Sequence, residues 1–290
     1  VSTVDAFVEH GLVLRDGLRT YCREYPASSG AADLAPVVCL PGLTRNCRDF
    51  EDLAPQLAET RRVFTPDLRG RGRSDRDADW RRYRMDSYVA DVIALLDHFA
   101  LARVIIIGTS LGGLIGLCLG AAHRARLAAL VLNDIGPELD PVGLQRIGAS
   151  VGVPVQVSSW EQAAERARLG HESVMPDYTP ADWLRFARRI YRESRPGCIE
   201  RDMDSGIARA LVETPSGPQD FWREFRALGD LPMLCLRGAL SDLLAAATLS
   251  RMHAQHPGLC STVVPARGHA PTLDEPEARR AIAEFLATLS

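Results

Sequence analysis

Residues 104–113 read VIIIGTSLGG, a run of β-branched apolar residues that stops abruptly at a serine set among glycines. An apolar run of this length, bounded by turn residues, predicts a strand buried on both faces. The stretch that follows, LGGLIGLCLGAA, carries no charge and predicts a buried helix. Core packing gives no reason for a lone hydroxyl at that junction. Gly108-Thr109-Ser110-Leu111-Gly112 fits Gly-x-Ser-x-Gly, a sharp strand-to-helix turn that lifts a serine Oγ above the edge of a sheet. The glycines suit such a turn, because side chains two residues either side of the serine would collide where strand and helix cross.

The surroundings of this stretch alternate between two textures. VVCL (37–40), RRVFTP (61–66), RVIIIG (103–108) and LAALVLN (127–133) read as strands. FEDLAPQLAE and MDSYVADVIALLDHFA, lying between them, repeat apolar residues at helical spacing. That order predicts an α/β fold with a mostly parallel sheet covered by helices on both faces. Upstream, FVEHGLVLRDGLRTYCREY reads as a hairpin turning at Asp16-Gly17, followed by a Ser/Gly/Ala linker near residues 27–34.

From about Gly136 to Gly229 the alternation stops, and the segment reads as helical and rich in aromatic residues. In DWLRFARRIYRE, Trp183, Phe186, Ile190 and Tyr191 share one helical face. Alternation resumes with PMLCLRG (232–238), a helix near 243–256, STVVPARGH (261–269) and a closing helix from Glu275. The expected organisation is one α/β domain, residues 1–135 and 230–290, split by a helical insertion over 136–229.

Composition excludes several classes. At 290 residues the chain is long enough for a sizeable core, and a net charge of −3 supplies no basic field for nucleic acid. All 34 basic residues are arginine, a bias read as genomic rather than chemical. In DLRGRGRSDRDADWRRYR the arginines interleave with aspartates, which predicts a solvated, salt-bridged loop. Seven cysteines, with no Cys-x-x-Cys pair, point to reduced core-filling thiols and a cytoplasmic location. No secretory leader is read at the start of the chain. The uncharged run from Val104 to Ala122 approaches the length of a membrane span, but glycines break it in the middle.

With GTSLGG at 108–113, DLRGRGRSD at 67–75, and LPGL at 40–43, the sequence resembles the α/β-hydrolase superfamily over nearly its whole length. The resemblance implies a helical cap inserted after the sixth strand and a serine nucleophile at Ser110. His269, on the loop after a late strand, is the best placed of seven histidines to act as base. Two aspartates keep the Ser…Asp…His order: Asp242, after LCLRGALS, and Asp134, in VLNDIGPELD. Asp242 is the preferred acid, with Asp134 as alternative or as a hinge residue. The backbone N–H groups of Leu43 and Leu111 are the candidate oxyanion donors. Pro41-Gly42 stands where the family often has His-Gly. Trp183, Phe186 and Trp222 are candidate substrate contacts; one of Arg188, Arg189, Arg192 and Arg195 is a candidate partner for a substrate carboxylate.

The expected chemistry is acyl transfer to water on a small-molecule acyl substrate, with carboxylic esters first, no metal or cofactor, and neither nucleic acid nor membrane as partner. A serine rather than aspartate at position 110 argues against epoxide hydrolase and dehalogenase chemistry. Enol-lactone hydrolysis, C–C cleavage of a ring-cleavage product, acyl transfer to an alcohol, and ligand sensing are the alternatives.

Overall fold

The run at 104–109 forms a central strand whose side chains are buried on both faces except at its tip, as its unbroken apolar character requires. The computed structural model describes residues 7–28, 34–213 and 220–289. Residues 29–33 of the expected Ser/Gly/Ala linker lie outside the described residues.

The chain opens with β1 (Val8–Val13) and β2 (Arg19–Tyr25), paired antiparallel around a turn at which Gly17 takes φ +88°. There follow β3 (Val37–Leu40), a 3-10 turn (Cys47–Phe50), α1 (Ala54–Leu57), β4 (Val63–Pro66) and α2 (Met85–His98). Next come β5 (Val104–Thr109), α3 (Leu111–Ala122) and β6 (Leu127–Asn133). The segment after β6 holds α4 (Pro141–Val151), β7 (Gln156–Val157), α5 (Trp160–His171), α6 (Pro180–Ile190), β8 (Tyr191–Arg195), β9 (Cys198–Arg201), α7 (Ser205–Glu213) and α8 (Trp222–Ala227). The chain closes with β10 (Met233–Gly238), α9 (Ala246–Gln255), β11 (Leu259–Val264) and α10 (Pro276–Ala287).

Eight strands form one sheet in the order β1-β2-β4-β3-β5-β6-β10-β11. Only the β1–β2 and β2–β4 pairings are antiparallel; the rest of the sheet is parallel. Alternate residues of each central strand feed two separate cores. Val38, Ile106 and Leu130 face α2, α3 and α8, whereas Val37, Ile105, Ile107 and Leu236 face α1 and α10. The parallel strands therefore aim their carboxyl ends at one edge, where the loops after β3, β5, β6, β10 and β11 gather.

Three expectations need correction. The segment between β6 and β10 is not wholly helical, because β7, β9 and β8 form a small antiparallel sheet. Tyr191 accordingly leaves the helical stripe and begins a strand; the helix ends at Ile190 and the chain turns back at Gly197, φ +71°. FEDLAPQLAE supplies only the short α1, with Pro55 in its first turn. The loop after β4 is salt-bridged as expected but only partly solvated. Arg69 and Arg71 are both buried, Arg69 against Asp16, Asp77 and Asp91.

The segment between β6 and β10 is tied to the sheet by polar contacts. Arg48 pairs with the buried Asp202 at 2.7 Å and donates to the carbonyls of Arg189 and Tyr191. Asn46 Nδ2 also donates to the Arg189 carbonyl, at 2.9 Å. Among the described residues no helix is long and apolar enough to cross a membrane.

Candidate active site

Ser110 sits where β5 turns into α3, with φ +52° and ψ −114°, a backbone conformation rare for any residue but glycine. The turn is closed by the Ser110 N–H donating to the Asn133 carbonyl at 3.1 Å. It leaves no room on either flank. A Cβ at Gly108 would fall 2.4 Å from the Gly112 backbone, and one at Gly112 would fall 2.1 Å from the Leu40 carbonyl oxygen.

The Ser110 hydroxyl lies 2.8 Å from His269 Nε2, and His269 Nδ1 lies 2.9 Å from Asp134 Oδ2. An acceptor-only carboxylate beside Nδ1 places the proton there, so Nε2 presents its lone pair to the serine O–H. Asp134 follows β6 directly, is fully buried, and has φ +53°. Its Oδ1 accepts from the Gly238 N–H at 2.7 Å and its Oδ2 from the Ser241 hydroxyl at 2.6 Å. These bonds hold the carboxylate in one orientation.

The preference for Asp242 over Asp134 is therefore corrected. Asp242 makes no hydrogen bond to the histidine and takes a two-pronged pair with Arg146, at 2.5 and 2.8 Å, which lowers its pKa. The loop after β10 still serves the site, but through Ser241, one residue earlier.

A cavity of about 130 Å³ opens over these groups, bounded by the loop after β3, the loop carrying His269, and α4, α5, α6 and β9. Leu43 lies on its wall beside Ser110, and Leu111 is the first residue of α3. Of the three aromatic candidates, only Phe186 reaches the wall. Trp183 is buried against Tyr178 and Phe186 and lines a separate surface groove. Trp222 is buried in the core cluster and donates Nε1–H to Glu138 at 3.1 Å.

Sequence reading passed over Arg71 and Asn133 at this site. Arg71, 1% exposed, donates Nε–H to the Leu43 carbonyl at 2.9 Å and so fixes the loop after β3. Asn133 Nδ2 bridges Thr109 Oγ1 and the Pro271 carbonyl, joining the serine turn to the histidine loop. His171 lines the cavity, its Nδ1–H donated to the Ala167 carbonyl at 2.9 Å; burial lowers its pKa to about 4. Arg45, Arg146, Arg189 and Arg201 also reach the wall. Of these, Arg189 is among the sequence candidates for a substrate carboxylate; with 34 arginines in the chain, the other three do not stand out by type.

The parallel sheet, the serine at the strand-to-helix turn and a histidine on the last strand's loop define one class of fold. Residues 35–196 match the family model described as alpha/beta hydrolase fold. The sequence is 36% identical over 249 residues to the 3-hydroxybutyrate-oligomer hydrolase of Cupriavidus necator, covering 83% of this chain and 84% of that one. It is 27% identical to the 2-(acetamidomethylene)succinate hydrolase of Mesorhizobium japonicum, over 84% and 85% of the two chains. The crystal structure of an alpha/beta hydrolase from Novosphingobium aromaticivorans superposes with a TM-score of 0.92 at 43% identity, covering 98% of this chain and 99% of that one. The chain belongs to this family of hydrolases.

Proposed function

We propose that the protein is a serine hydrolase of carboxylic esters, with Ser110 as nucleophile, His269 as base and Asp134 as the orienting acid. The observation that carries the reading is the continuous line Ser110–His269–Asp134, whose last member is itself held by Gly238 and Ser241. A serine hydroxyl is a weak nucleophile until a positioned base takes its proton. Here Nε2 receives that proton as Oγ attacks the ester carbonyl, and Asp134 stabilises the imidazolium that forms. The carbonyl oxygen becomes an oxyanion facing the backbone N–H groups of Leu43 and Leu111, the second at the positive end of α3.

Collapse of the tetrahedral intermediate expels the alcohol, which takes the proton from Nε2. Water then attacks the acyl-serine with the same histidine as base. It yields the carboxylic acid and restores Ser110. The segment over 136–229 acts as a cap that closes the cavity above the serine.

The relative from C. necator acts, by its name, on oligomers of 3-hydroxybutyrate, which are joined by ester bonds. That supports ester cleavage over the C–C alternative and makes short oligoesters the first substrates to assay. The test is intact-mass spectrometry after a fluorophosphonate probe. One probe per chain on the wild type and none on Ser110→Ala is the expected result. A folded wild-type protein that stays unlabelled and turns over no ester sinks the reading.

A further inference from the structure

Four arginines reach the cavity wall, and three of them are already neutralised. Arg45 forks onto Asp49 at 2.6–3.1 Å and stacks on the Phe186 ring. Arg146 forks onto Asp242, and Arg189 pairs with Asp52. Arg201 is different. Among the described residues it has no carboxylate partner; Nη2 donates to the Ser150 carbonyl at 3.1 Å, and Nε is buried with no acceptor at all. Its position is fixed nonetheless, since Arg201 ends β9 in register with Tyr191. A guanidinium stays charged at any ordinary pH, and a partly buried one without an anion is costly. Among the described residues the charge balance of the cavity wall is then positive by Arg201, which has no carboxylate beside it.

We propose that Arg201 is a specificity-determining residue that binds a free carboxylate of the substrate, so that the enzyme takes anionic esters, with the carboxylate remote from the scissile bond. The proposal rests on the serine-hydrolase reading of the same cavity. A planar fork of N–H donors matches a carboxylate, and the charge-assisted bonds so formed are stronger than neutral ones. The substrate class is a half-ester of a dicarboxylic acid or an ester whose acyl or alcohol part ends in a carboxylate. His171, neutral and with Nε2 free as an acceptor, adds a place for a hydroxyl donor beside it.

The experiment compares mono-4-nitrophenyl glutarate with its methyl-capped, uncharged counterpart. The expected wild-type preference for the anion is about tenfold or more in kcat/KM, the size of one charge-assisted contact. Arg201→Gln should erase that preference through KM while leaving kcat/KM for the capped ester nearly unchanged, and Arg201→Lys should keep part of it. Equal turnover of the two esters by the wild type, abolished in both cases by Ser110→Ala, overturns the carboxylate inference and leaves the hydrolase reading standing. A preference that survives in Arg201→Gln overturns the assignment to Arg201. Should Arg201→Gln not fold, protection of wild-type Ser110 from the fluorophosphonate decides: glutarate protecting and dimethyl glutarate not protecting supports the proposal, and equal protection or none overturns it.

Discussion

At the scale of single residues, the competition between Asp134 and Asp242 shows how a carboxylate's role is set by its partners. Asp134 is fully buried and receives three donors, the Gly238 N–H, the Ser241 hydroxyl and His269 Nδ1–H. Asp242 is half-buried and spent on Arg146. Asp134→Asn puts an amide where Nδ1–H needs an acceptor, favours the wrong tautomer, and should cut kcat by about 10⁴ with little change in KM. Asp242→Asn should leave kcat within about threefold, because it breaks only a partly exposed ion pair. Steady-state kinetics on both variants checks the assignment; the reverse pattern would return the acid's role to Asp242.

Among the elements, the β5–turn–α3 unit carries the strictest steric demand. Its helix is apolar on all sides, and glycines at 112 and 113 let it approach β3 and the end of β6 closely. Gly112→Ala would set a methyl group into the Leu40 carbonyl, a rigid backbone neighbour at 2.1 Å. Overpacking of this kind costs about 1–3 kcal/mol, and relief requires α3 to slide away from β3. The expected outcome is a lower midpoint in urea unfolding together with loss of fluorophosphonate labelling, since Ser110 and the first N–H of α3 move with the helix. Normal labelling at unchanged stability would contradict the close-crossing account.

For the molecule as a whole, the segment between β6 and β10 brings a titratable group into the fold's stability. His171 is held neutral in the cavity by burial, with its pKa down at about 4 from an ordinary 6.5. The unfolded chain binds that proton readily and the folded chain resists it, so the contribution to stability is full above pH 6.5 and is lost as pH falls toward about 4. With the ring partly exposed, the loss amounts to about 2 kcal/mol. His171→Asn keeps a donor for the Ala167 carbonyl and removes the titration. Urea unfolding measured between pH 7 and 4 should fall less steeply for the variant than for the wild type; parallel curves would show that His171 takes no part. Asp242, whose pKa is lowered by Arg146, loses its contribution only at lower pH, which separates the two effects.

Local patterns in the sequence carried the α/β architecture and pointed to Ser110 and His269 as candidate nucleophile and base. Unbroken apolar runs are local patterns, and β3, β5, β6 and β10 fall within a residue or so of where those runs place them. Ser110 and His269 were legible because the turn chemistry around each is local too: glycines about the serine, and a loop after an apolar strand for the histidine. What tertiary structure decided was partnership. Asp134 and Asp242 both follow strands and both keep the chain order, so no local signal separates them; the choice falls to Arg146, from α4, to Gly238, at the end of β10, and to Ser241, from the loop after it. The small sheet of β7, β8 and β9 was missed for a related reason. Its strands are two to five residues long, too short for periodicity to register, and β7 pairs with a strand some forty residues away. Which arginine lacks an acid is likewise a property of the folded chain. Composition gives the number of charges, and only packing assigns each one its neighbour.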